Sequence, residues 1–174
     1  MARISPIVEE DHPELADLIA RIKRQRARLN VYRVLLHSPT VASMWFDQNN
    51  AIRSETEVEG QLQELAIIRV AQLKGVNYLL QAHLPKIALA EGLSQAQCNA
   101  IEDWRDSHLF DERQRAVLAY VEAMTKRTKV PRRIFEALRT HFSERQVVEI
   151  SVLIGAYIMN CHVLTALEVE AASP

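Results

Sequence analysis

The chain has 174 residues, with 21 Lys plus Arg against 22 Asp plus Glu and 48% apolar residues. That length and apolar content fit one globular domain and exclude a disordered chain. A formal charge of -1 supplies no field to hold a polyanion, so neither nucleic acid nor a membrane surface is expected as a partner.

Four Gly and six Pro are too few for the tight turns of a sandwich or barrel, while helix formers are plentiful, so the expected fold class is all-α. The longest nearly uncharged stretch, Ile150 to Thr165, is shorter than a membrane span and contains Asn160 and His162. The amino terminus meets Arg3 and then Glu9, Glu10 and Asp11 without an apolar run, so a cytoplasmic location is expected. Cys98 and Cys161 lie far apart and neither belongs to a C-x-x-C pair, which predicts two buried thiols.

Pro13 suits a first helical turn, followed at helical spacing by Leu15, Leu18, Ile19 and Ile22. The arginine-rich stretch Arg21 to Arg28 is then the solvated face of that helix, with a basic docking patch as the alternative. Ser38 and Pro39 start another helix, with Val41, Met44 and Trp45 predicted to be buried. From about Thr56 to Leu73 the residues Leu62, Leu65 and Ile68 form an apolar face, and Gly75 stands where that helix stops. Asn77 is positioned to cap a further helix running through His83 and Ala88 to Gly92, and the short turn makes the two an antiparallel pair.

Ser94 with Gln97 forms a capping box for a short helix that contains Cys98 and ends near Trp104. Asp111 starts a helix in which Val117, Tyr120, Val121 and Met124 share a face. Pro131 begins the next, with Ile134, Phe135 and Leu138 inward. Ser143 with Gln146 opens the last, whose run VVEISVLIGAYIMNCHVLTAL predicts burial on every side, as the central helix or at a subunit contact. No segment alternates with strand period. No linker divides the chain, so residues 1–174 read as one domain, an amino-terminal helical extension over 1–37 and a core over 38–170.

The stretch Glu64 to Gly92, ELAIIRVAQLKGVNYLLQAHLPKIALAEG, carries a specific pattern. A Glu opens E-L-A-I-x-R-V-A, a Gly-containing turn follows, Tyr78 precedes His83 by five residues, and an A-x-x-x-G helix end closes the segment. This resembles the carboxymuconolactone decarboxylase family, which includes the AhpD-like alkylhydroperoxidases. The later F-x-x-L-R-T-H-F-S-E-R-Q-V-V-E and G-A-Y-I-M-N-C are similar to the carboxyl half of longer members, and the resemblance runs from about Pro39 to Glu168. It implies an AhpD-like bundle of about seven helices, assembled as a homotrimer or homohexamer, with the site close to subunit contacts.

The redox branch of that family carries C-x-x-C-x-x-x-H with a Glu twelve residues before the first Cys. Counting back from His83 puts Val76 and Leu79 at the cysteine positions and Glu64 at the Glu position. Neither Val76 nor Leu79 can form a thiolate, so disulfide cycling has no basis there. Many members of the decarboxylase branch read Y-E-W-x-x-H, where this chain reads YLLQAH with Leu79 and Leu80.

On a helix Leu79 and Leu80 lie four and three residues before His83, which predicts an apolar substrate pocket made with Val76. Burial disfavours the imidazolium and a carboxylate favours it, so Glu64 opposes the desolvation of His83 and suits it to exchanging a proton. Tyr78 is a candidate pocket hydroxyl or a core aromatic, and Gln81 is expected at the surface. Arg69 offers Glu64 a purely structural partner, and a buried Glu and His can themselves form a structural pair.

His83, His108, His141 and His162 include no H-x-x-x-H or H-E-x-x-H spacing, and no glycine-rich phosphate loop or G-x-S-x-G occurs. No metal and no cofactor are therefore expected. The resemblance implies a lyase acting without a cofactor on a small lactone or carboxylated compound, with His83 as acid, Glu64 orienting it and Tyr78 bonding the substrate. Two other functions stay open. One is an alkylhydroperoxidase or peroxiredoxin activity, which would need Cys98 or Cys161 as the redox sulfur. The other is a helical oligomer that binds a small ligand without catalysis.

Overall fold

A computed structural model describes residues 2–25, 30–127 and 129–170. The described residues contain ten α-helices, two 3-10 turns and no strand, so the all-α class holds. The helices are α1 (Ala16–Gln25), α2 (Asn30–Leu35), α3 (Pro39–Ser54), α4 (Gly60–Lys74), α5 (Asn77–His83), α6 (Lys86–Ala90), α7 (Gln95–Ala100), α8 (Glu112–Lys126), α9 (Arg132–Arg139) and α10 (Glu144–Ala166). The excess over seven comes from short segments such as α2 and α6, too brief to leave a periodic pattern.

The central element is α4, buried without interruption from Leu62 to Ala71. It packs against α8 on one side and α10 on another, with α5 lying against it as well. Leu65, Ile68 and Val70 have no exposed surface. Each such side chain contributes about 1.5–3 kcal/mol relative to exposure. The last helix is not buried all round as its composition predicts, because Val148 and Val152 are 62% and 47% exposed. Although α10 is long and apolar enough by length and composition to cross a membrane, contrary to the shorter span read from the sequence, half of its most apolar window is buried within the fold.

Several local signals act at the positions the sequence marks. Gly75 adopts φ 67°, and its N–H bonds Gln72 O while the Val76 N–H bonds Ala71 O, a Schellman ending for α4. Capping boxes close on Ser94 with Gln97 and on Ser143 with Gln146, and a third forms on Asp111 with Gln114. The cap predicted at Asn77 is absent: Val76 occupies that position, and Asn77 is the first helical residue without a capping bond. The helix expected to run on to Gly92 breaks after His83, because Pro85 lacks a backbone N–H and holds Leu84 extended at ψ 141°.

In α3 the apolar phase differs from the expected one. Ala42, Trp45, Phe46, Asn49 and Ile52 are buried, whereas Val41 and Met44 are exposed. Thr56 precedes α4 and bonds back to Ile52 O rather than starting the helix. The amino-terminal segment docks through Leu15, Ile19 and Ile22, and Arg21 engages Ser43 and Asp47 of α3. Arg26 and Arg28, the end of the expected basic face, lie outside the described residues.

Candidate active site

Glu64, His83 and Arg53 meet in the interior. Glu64 stands one turn into α4 with no exposed surface, and His83, the last residue of α5, is 8% exposed. His83 Nδ1 lies 2.7 Å from Glu64 Oε2. The second carboxylate oxygen is taken by Arg53, whose Nη2 lies 2.6 Å from Oε1 as an ion pair. A carboxylate wholly removed from water is costly unless paired, and here Oε2 meets the His83 ring nitrogen while Oε1, which has no hydrogen bond, is balanced by the Arg53 charge. The sequence pairing of Glu64 with Arg69 does not occur. Arg69 points to α8 instead, where Nε lies 3.1 Å from Glu122 Oε1.

This group borders a cavity of about 320 Å³. Its wall comes from six helices: Gln25 of α1; Val31 and Tyr32 of α2; Trp45, Asn49 and Arg53 of α3; Tyr78, Leu79, Ala82 and His83 of α5; Ile87 of α6; Tyr157, Asn160 and Leu164 of α10. The spacing explains the convergence, since 45, 49 and 53 recur every fourth residue and 157, 160 and 164 every third or fourth. The walls are mostly aromatic and aliphatic with a few polar groups, the usual make-up of a small-molecule site. His83 meets Tyr157 edge to face, with ring centroids 5.8 Å apart.

Of the three predicted pocket residues only Leu79 reaches the cavity. Leu80 is one residue and roughly 100° further round α5, and it packs on the core instead. Val76 precedes the helix and lines a separate surface groove with Gly75, Asn77 and Gln81. Tyr78 does reach the cavity, and its hydroxyl accepts the Val31 N–H at 3.3 Å. Burial pushes the Tyr78 phenol above its ordinary range, opposed by that hydrogen bond, so it remains a donor. Gln81 is exposed, as its position predicts.

Sequence reasoning missed Arg53, Asn49 and Asn160. Asn49 Nδ2 donates to Trp45 O at 2.8 Å, which turns Asn49 Oδ1 toward Asn160 Nδ2 at 3.1 Å. The available signal was the fourfold spacing from Trp45 to Arg53, which places a charge on an otherwise buried stripe. Neither cysteine lines the cavity. Burial raises the Cys98 thiol and pushes Cys161 up to about 11, which disfavours thiolate at both. Among the described residues no three His, Cys, Asp or Glu side chains are grouped to hold a metal ion.

Residues 39–123 match the carboxymuconolactone decarboxylase family. The chain is 28% identical over 123 residues to the uncharacterized protein YnjA of Escherichia coli (strain K12), covering 68% of this chain and 65% of that relative's length. A protein of unknown function from Agrobacterium tumefaciens, named as an AhpD-type antioxidant defence protein, superposes with a TM-score of 0.75 at 27% identity. That match covers 80% of this chain and 96% of the other.

Two further structures, each 17% identical, share the fold. They are an uncharacterized peroxidase-related protein with an AhpD core from Ralstonia eutropha JMP134 (TM-score 0.84, 99% and 93% of the two chains) and the debrominase Bmp8 in complex with 2,3,4-tribromopyrrole (0.83, 98% and 91%). With Glu64 and His83 brought together on α4 and α5, the chain is similar to the carboxymuconolactone decarboxylase family over residues 39–123 and shares its fold with AhpD-like structures.

Proposed function

We propose that the protein is an enzyme that moves a proton on a small organic substrate without a cofactor, in the manner of a lyase acting on a lactone or related compound. The observation that carries this is the 2.7 Å bond from His83 Nδ1 to Glu64 Oε2 at the edge of an apolar cavity. With Nδ1 held by the carboxylate, Nε2 is the ring nitrogen left to exchange a proton with a ligand. Glu64 fixes the tautomer and orientation of the ring, and Arg53 holds Glu64 in place from the other side.

In a decarboxylation of this type, loss of carbon dioxide pushes an electron pair into the unsaturated ring, and His83 delivers the proton to carbon. Tyr78 donates to the substrate oxygen that gathers charge. The peroxidase reading lacks support, because the cysteine positions of the redox motif are Val76 and Leu79 and the two thiols lie away from the cavity. The exposed Val148 and Val152 on α10 support self-association as a homotrimer or homohexamer. The working form is taken to be cytoplasmic, with small molecules rather than nucleic acid or membrane as partners.

The test is turnover on a panel of carboxylated unsaturated lactones, followed by ultraviolet absorbance and carbon dioxide release. We expect wild-type turnover that falls by 10²- to 10⁴-fold in His83→Gln and clearly in Glu64→Gln. Equal rates in wild type and His83→Gln would overturn the assignment. Saturable ligand binding that His83→Ala leaves untouched, with no turnover, would favour the non-catalytic binding protein instead.

A further inference from the structure

The end of the cavity that holds His83 is buried, so the way in lies elsewhere on its wall. Among the described residues that line it, Gln25 and Ile87 are exposed, Arg53 and Ala82 are half-buried, and the others are buried. Ile87 is 36% exposed against 8% for His83. A single exposed isoleucine on a surface means nothing by itself. One that meets both solvent and cavity belongs to the opening between them.

The chain builds the two sides of that opening separately. On one side Pro85 stops α5 after His83 and α6 begins at Lys86, which sets Ile87 four residues beyond the imidazole where the wall meets solvent. Isoleucine is branched at Cβ and strongly prefers one χ1 rotamer in a helix, so this side is a stiff rim. On the other side stands Gln25, the last residue of α1. Its Oε1 accepts from Asn50 Nδ2 at 2.6 Å, and Arg21, one turn earlier, engages Ser43 and Asp47. These contacts are all to α3, the helix that carries Trp45, Asn49 and Arg53 to the cavity. The Gln25 rim and the inner wall are thus fastened to one element.

We infer that substrates enter the cavity between Gln25 and Ile87, and that Ile87 is a specificity-determining residue whose side chain sets the width of ring admitted. The inference adds an entrance to the proton-transfer site and rests on that reading only for what happens to a molecule once inside. A flat unsaturated ring passes a stiff rim that stops a branched substituent. Shortening Ile87 therefore widens access and lengthening it narrows access, with Glu64 and His83 left in place.

The experiment is quenching of tryptophan fluorescence by acrylamide, a small neutral amide, on the full chain. Of the two tryptophans, Trp45 lines the cavity and is 5% exposed, whereas Trp104 lies off the cavity with Nε1 bonded to Glu122. Quenching of Trp45 reports entry without any need of turnover. Ile87→Ala should raise the quenching constant about twofold and Ile87→Phe should lower it by about as much, each variant being checked for native helix content. Leu89 is also on α6 and is 41% exposed, but it does not line the cavity, so Leu89→Ala should quench as wild type does. In Trp45→Phe the response to Ile87→Ala should vanish. Unchanged quenching in Ile87→Ala, an equal rise in Leu89→Ala, a rise in Ile87→Phe, or a response that survives Trp45→Phe would each overturn the inference. On a carboxylated lactone that turns over, Ile87→Phe should lower kcat/KM about fivefold through entry while kcat stays within about twofold, and a loss carried by kcat instead would also overturn it. Proton transfer is decided by turnover of His83→Gln and the entrance by quenching, so the two readings fail by different results.

Discussion

Arg53 and His83 hold opposite oxygens of the same buried carboxylate, Arg53 Nη2 at 2.6 Å from Glu64 Oε1 and His83 Nδ1 at 2.7 Å from Oε2. The carboxylate thus links α3 to α5 through α4. Removing one member of such a set leaves a charge in the core with nothing to balance it.

Arg53→Met should therefore destabilise the fold by about 3–5 kcal/mol, because it strands Glu64. For a chain of this length that lowers Tm by roughly 10 °C. The double variant Arg53→Met with Glu64→Gln should regain much of the loss, since the unpaired charge is gone. Thermal unfolding of the four proteins of this cycle checks it, and additive single losses would contradict the pairing.

A second buried carboxylate gives a pH signature. Glu122 is held well below its ordinary value of 4.5: burial alone would raise it, but hydrogen bonds from Arg105, Arg69 and Trp104 outweigh the loss of water. Since the folded value is lowered, the stability it supplies is fully present above about 4.5 and is lost as pH falls below that value. Glu122→Gln should cost about 3–5 kcal/mol at pH 7 and progressively less below pH 4, measured by urea unfolding. A penalty that is the same at pH 7 and pH 3 would count against this role.

Both thiols should be unreactive in the folded chain. With Cys161 pushed up to about 11 and Cys98 raised, iodoacetamide at pH 8 should modify them roughly 100-fold more slowly than in urea. Mass spectrometry after mild peroxide should find no disulfide and no sulfenic acid. Rapid oxidation of either cysteine would revive the peroxidase reading.

Gly75→Ala isolates a backbone effect. Nothing lies within 4 Å of the position of an added Cβ, so the cost is the left-handed conformation alone, about 1 kcal/mol. A Tm drop of a few degrees with unchanged ligand binding is expected by differential scanning calorimetry.

What the sequence showed plainly was local. The stop at Gly75 and the boxes at Ser94 and Ser143 depend on residues within one turn of each other, and the structure keeps them. The pairing of Glu64 with His83 was approached through the family pattern, with spacing alone permitting it. Arg53 was not legible, because choosing its partner requires the packing of α3 on α4. Arg69, the structural partner the sequence also offered to Glu64, lies five residues beyond it and about 140° round the helix, on the face that α8 covers. The phase of α3 failed similarly, since Val41 and Met44 are as apolar as Ala42 and Phe46, and only the position of neighbouring helices decides which pair turns inward. In α10, whose composition suggests burial on all sides, the chain's own helices cover only part of the surface and leave Val148 and Val152 exposed.

The most direct measurement is deuterium transfer from solvent. Substrate turned over in deuterium oxide should acquire one solvent deuterium on carbon, read by NMR or mass spectrometry. In His83→Gln, checked for native helix content, the rate of that transfer should fall at least 100-fold. Undiminished deuterium transfer in His83→Gln would contradict proton transfer by His83.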